Sequence, residues 1–121
     1  MIKLTFALTR RPDLTREAFQ AYWLHRHAPL VKTCQHALRI RRYVQLHSLP
    51  PEISADLRAS RNAPEPFDGV ASLWFDSIDD MQDAGRTPQG RQAAQELLED
   101  ERRFIDLANS PIWIAEDHRV V

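Results

Sequence analysis

The sequence predicts an α+β fold, a four-stranded antiparallel sheet with helices on one face. Three observations lead there. Ile2, Leu4, Phe6 and Leu8 alternate with Lys3, Thr5, Ala7 and Thr9, the period of two that marks a strand with one apolar face. Phe19, Tyr22 and Trp23 then fall on one side of a helix-spaced segment. From there the order runs strand, helix, strand, strand, helix, strand.

Each element has its own signal. RRPD at 10–13 is a turn, and Thr15 is the N-cap of the first helix. Pro29 disfavours helical geometry at Ala28, so this helix is expected to end or break near His27. Pro29 then opens a short second helix to about Gln35. Residues 39–47, RIRRYVQLH, read as a strand. Ile40, Arg42, Val44 and Leu46 share one of its faces, and Arg41, Tyr43, Gln45 and His47 share the other. Residues 48–67 carry four prolines and no glycine. A connection this long is often a lid, and this one has room for a short helical turn after Ser54. Val70 to Phe75 is a nearly continuous apolar strand of the kind covered on both faces. Ser77 caps the next helical region, which Gly85 and Pro88 interrupt. Thr87-Pro88 restarts it through about Glu101. Phe104 to Leu107 adds a short helical piece, and 112–120 is the last strand. There is no internal repeat.

This is the split βαβ order of ferredoxin-like folds. Two helices cover one sheet face. A second copy of the sheet is the simplest cover for the other, which predicts a homodimer, since a bare apolar face would be adhesive.

The 121 residues suit one domain, 1–121. A net charge of -1 argues against nucleic acid and acidic membranes as partners. Cys34 is the only cysteine, which leaves no intrachain disulfide and no cysteine-based zinc spacing. IKLTFALT is too short to span a membrane and lacks the shape of a signal peptide, so a cytoplasmic location is expected.

Four stretches, IKLTFALTRRPDLTREAFQAYWLHRHAPL, RRYVQ, PFDGVASLWFDS and RFIDLANSPIWIAEDHRVV, carry a resemblance. In them the chain resembles the EthD family of the dimeric α/β-barrel superfamily, across nearly its whole length. The resemblance implies two ferredoxin-like subunits with their sheets face to face. A pocket then lies between sheet and helices, or inside the barrel. Relatives of that superfamily include muconolactone-type isomerases, polyketide cyclases and cofactor-free monooxygenases. Others are accessory proteins of degradation pathways. Function transfers weakly across such a fold and has to come from the site.

On a helix, His25 and His27 point about 200° apart, so they cannot share an ion. No helical pair at the spacing of H-E-x-x-H exists. His36, His47 and His118 are isolated, so no metal site is expected. The chain has three glycines and no phosphate loop, so no nucleotide cofactor is expected either. His27 follows Phe19 and Trp23 at i+8 and stays on the apolar side, whereas His25 faces solvent. His27 is therefore the candidate acid–base residue, and it matches the histidine of the HAPL stretch in the family resemblance. The alternative is that it only bonds a backbone carbonyl at the helix break.

Tyr43 is the candidate partner that orients or stabilises a developing oxyanion, with His47 a secondary polar contact. The alternative is a solvated edge strand. Trp23, Phe67 and Trp74 are candidate walls for a flat ligand, although aromatics at these periods more often form core, as expected for Phe75. Asp68 more often bonds nearby backbone in such a turn. Cys34 reads as a small buried hydrophobe.

Together these residues suggest a small cofactor-independent enzyme of aromatic compound metabolism. It would act by acid–base chemistry on a compact cyclic or aromatic, lactone- or polyketide-like substrate, as an isomerase, cyclase, dehydratase (a lyase) or monooxygenase. The competing expectation is a non-catalytic accessory protein that holds a hydrophobic ligand.

Overall fold

In the computed structural model, which describes residues 1–121, β1 (Ile2–Leu8) runs through the middle of a four-stranded sheet. It pairs antiparallel with β3 (Gly69–Phe75) on one side and β4 (Ile112–Glu116) on the other. Beyond β3 lies β2 (Arg42–His47), which gives the order β2-β3-β1-β4. This is the α+β, ferredoxin-like topology that the strand and helix order implies.

The helical layer packs on one face. α1 (Arg16–Tyr22) starts at Thr15, whose hydroxyl accepts from the Ala18 N–H. α4 (Ile78–Arg86) and α5 (Pro88–Glu101) start at Ser77 and Thr87 in the same way. Leu4, Phe6, Leu8, Ala71 and Phe75 point into this layer and meet Phe19, Trp23, Val31, Leu97 and Phe104. Gly69 is needed by close approach. A Cβ there would sit 2.4 Å from the Trp23 ring and 2.7 Å from the Leu46 carbonyl oxygen.

The expected interruption near His27 takes the form of a break in the α-helical pattern, not an end. Residues Trp23–His27 form a π turn, and α2 (Ala28–Leu38) continues directly from it. The Ala28 N–H bonds the Trp23 carbonyl, five residues back. A wide turn leaves room for Pro29, whose missing N–H and bulky ring would disrupt a regular α-helix here. α2 ends at Arg39, which takes the left-handed conformation at φ 58°.

Two strand boundaries differ from those expected. The second strand starts at Arg42 rather than 39, and its Tyr43, Gln45, His47 face turns toward the helices rather than to solvent. The last strand stops at Glu116. The 48–67 connection holds a 3₁₀ turn (Pro51–Ser54) and α3 (Ala55–Arg61), tied down where Arg58 bonds Glu65 and the Pro51 carbonyl. The helices cover one face of the third strand, and in the single chain its outer face joins Lys3, Arg42 and Trp74 to Leu46 and Trp113, which are 62% and 47% exposed. No helix is long and apolar enough to cross a membrane.

Candidate active site

Between the sheet and the helices lies a cavity of about 260 Å³. Of its 19 lining residues 17 are hydrophobic, and the two that are not are His27 and Glu101. Leu98 and Ile112 line it while staying partly exposed, so the mouth opens between α5 and β4.

His27 comes from the π turn and is buried, with Phe104 packed on its ring at 5.0 Å between centroids. Its Nδ1 meets Asp100 Oδ2 at 2.7 Å. Asp100, near the end of α5, is buried as well. Its other oxygen accepts from the Tyr22 hydroxyl at 2.6 Å and the Arg103 guanidinium at 3.0 Å. Burial pushes the Asp100 carboxyl up, but these hydrogen bonds outweigh it and the net shift is downward. Burial lowers His27, against the opposing pull of Asp100. Near neutral pH the pair is therefore a neutral imidazole donating Nδ1–H to a carboxylate. That leaves Nε2 as the nitrogen free to meet a ligand, with its lone pair available.

Glu101 is the next residue along, half-buried, and lines the cavity with no ion-pair partner. Burial first, and the neighbouring Asp100 charge second, raise it to about 7. One wall thus holds a base set below the usual histidine range and a carboxyl that keeps its proton up to about pH 7. An acid and a base kept apart by their surroundings are what proton transfer needs.

The structure brings together only part of the site expected from the sequence. Trp23 and the ring of Tyr43 line the cavity with His27. The Tyr43 hydroxyl accepts from Gln45 Nε2 at 2.8 Å, and the same amide bonds the Trp23 carbonyl. His47 lies off the cavity, stacked on Trp23 at 4.5 Å and bonded to the Gln45 amide oxygen. Phe67 also lies off it, 43% exposed in the long connection. Trp74 is on the opposite sheet face, flanked by Lys3 and Arg42 and bonded through Nε1 to Asp117. His25 is exposed, and Asp68 is held by the Arg10 backbone and guanidinium. No three His, Cys, Asp or Glu side chains come together as a metal-ligand set.

Asp100 and Glu101 were not among the sequence candidates. Their signal lay in spacing: Ala93, Ala94, Leu97 and Leu98 step along α5 at threes and fours, and Asp100 and Glu101 continue those steps.

A family model described as EthD domain matches residues 11–108. No curated protein matches. Among solved structures, an ethyl tert-butyl ether D (EthD) family protein from Bacillus halodurans superposes with a TM-score of 0.64 at 19% identity. That match covers 98% of this chain and 99% of the other. A hydroxynitrile lyase from Passiflora edulis gives 0.61 at 10% identity, covering 99% and 95%. A dimeric ferredoxin-like protein of unknown function from Thermobifida fusca gives 0.57 at 13%, covering 94% and 88%. At these identities the structural likenesses establish the fold alone. The family match spans most of the helical layer, the π turn with His27, Asp100 that bonds it, and Glu101. On that match the chain belongs to the EthD domain family.

Proposed function

We propose that this protein is a proton-transfer enzyme for a compact cyclic or aromatic carbonyl compound, of the isomerase, cyclase or lyase type. A single observation carries this. The only two non-hydrophobic residues on an otherwise apolar cavity are a histidine oriented by a carboxylate and a carboxyl whose proton is held up to about pH 7. His27 Nε2 takes a proton from the carbon beside the carbonyl, and that bond's electron pair moves into a new C=C bond. The carbonyl oxygen, as it gains charge, takes the Glu101 proton and leaves an enol. Asp100 is a positioning residue, fixing the tautomer that exposes the Nε2 lone pair. These steps use only groups the chain carries, so the reading needs no cofactor. That a structural neighbour is a hydroxynitrile lyase supports a catalytic role for such a fold.

The test is deuterium exchange. Compact cyclic and aryl ketones are incubated with the protein in D₂O, and loss of α-hydrogen signal is followed by NMR. Exchange should need neutral His27 and protonated Glu101. Its rate should then rise with pH to somewhat below the usual histidine value and fall through about 7. His27→Ala should slow it by roughly 10²–10⁴-fold. No exchange above the buffer rate for any such ketone that binds would refute the catalytic reading.

The competing reading, a carrier of a hydrophobic ligand, draws on the same 17 apolar residues. It requires binding without exchange. We further propose that the open sheet face, with Leu46 and Trp113 exposed, pairs with a second copy. The dimeric state of the Thermobifida fusca neighbour supports this.

A further inference from the structure

We infer that the cavity selects uncharged ligands and turns away carboxylates, because no cationic side chain stands on its wall. The inference deepens the catalytic reading and rests on the same site. No Lys or Arg lines the cavity. The nearest cation in the hydrogen-bond network is the Arg103 guanidinium, and it is committed to Asp100, with its side chain 66% exposed. Asp100 already has three donors and sits behind His27 rather than on the wall. A ligand carboxylate would thus meet apolar side chains, a neutral imidazole and another carboxyl. Buried charge without a partner is strongly disfavoured.

A ketone or phenol brings no such charge. Its oxygen can accept from protonated Glu101, and its hydrocarbon body fills the space between the sheet and α5. Substrates and products that carry carboxylates, including acidic lactones, are therefore outside the class. The reactions that supply or consume its ligand must leave that ligand without an acid group.

The size of the effect follows from ionisation. A carboxylic acid with an ordinary pKa of about 4 is neutral in roughly one molecule in 10³ at pH 7. If only that form enters, its apparent affinity drops by the same factor. The test pair is 2-acetylnaphthalene and 2-naphthoate, equal in shape and different in charge. Binding to the intact protein is measured by calorimetry at pH 7.

The ketone should bind at least roughly 10²-fold tighter than the acid. Leu98→Lys adds a cation at the partly exposed mouth and should shrink the ratio about tenfold or more, with ketone binding showing that the cavity is intact. Equal affinity in the wild type, a ratio unchanged by Leu98→Lys while the ketone still binds, or binding of neither probe to the wild type would each overturn the inference.

The two readings fail separately. Charge preference without deuterium exchange of the bound ketone sinks only the catalytic reading. Exchange together with tight naphthoate binding sinks only the charge preference.

Discussion

Replacing Glu101 by Gln should stabilise the protein at alkaline pH and do little at acid pH. In the unfolded chain Glu101 titrates near 4.5, and in the fold at about 7. The folded state therefore binds the proton more tightly, and the unfolded state releases it first. Stability then falls as pH rises from 4.5 through 7, the reverse of the usual carboxylate behaviour. At roughly 1.4 kcal/mol per pH unit, the full displacement comes to about 3 kcal/mol. Between pH 5 and pH 8, about 2–3 kcal/mol of it should develop.

Gln fills the same space and carries no charge, so it escapes this loss. His27 and His47 are both lowered by burial and act with the opposite sign, adding stability as pH climbs toward 6.5. Both remain in the variant, so the wild-type-minus-variant difference removes their contribution, apart from coupling to Glu101. The assay is urea unfolding followed by tryptophan fluorescence at pH 5, 6, 7 and 8, with a check that the slope is unchanged. A difference that stays flat within about 0.5 kcal/mol would show that Glu101 is not an unpaired buried carboxyl. The acid assigned to the mechanism would then be lost as well.

Asp100→Asn should slow ketone exchange by roughly 10²–10⁴-fold, because the amide no longer holds His27 in the tautomer with Nε2 free. Tyr22→Phe removes one donor from Asp100 and should slow exchange far less, which NMR reads on the same samples. Gly69→Ala should destabilise by about 1–3 kcal/mol in thermal or urea melts, since its Cβ would press on Trp23 and the Leu46 carbonyl. Trp113→Asp on the open sheet face should shift the protein toward monomer in analytical ultracentrifugation while leaving the fold's circular dichroism unchanged. An unchanged sedimentation coefficient would count against face-to-face pairing.

The strand and helix order was legible because period-two and period-four patterns, and the caps Thr15, Ser77 and Thr87, report local physics. The face of β2 was not. Tyr43, Gln45 and His47 look like polar groups for an open surface, yet Gln45 bonds the Trp23 carbonyl and carries its neighbours inward. Trp74 misled for a related reason. Val70 to Phe75 is apolar at nearly every position, so the run does not say which residues face the helices. Only pairing of Trp74 with Lys3 and Arg42 shows that it faces out. His27 could be picked out from its spacing behind Phe19 and Trp23. Its partner could not, since Asp100 and Glu101 sit in the charged run EDERR, which resembles a solvated helix end. The packing of Phe104 and Ile105 just beyond draws that end into the core.

The π turn also solves a problem of rotation. Phe19, Trp23, His27 and Val31 follow one another at intervals of four and are all at least nine-tenths buried. In a regular α-helix each interval of four overshoots a full turn by about 40°, and three intervals add up to about 120°. A side chain that started toward the sheet would by then be swinging off to one side. The wider turn between Trp23 and Ala28 takes back part of that overshoot midway, at the segment that carries His27. One unbroken helical path can thus feed both hydrophobic clusters.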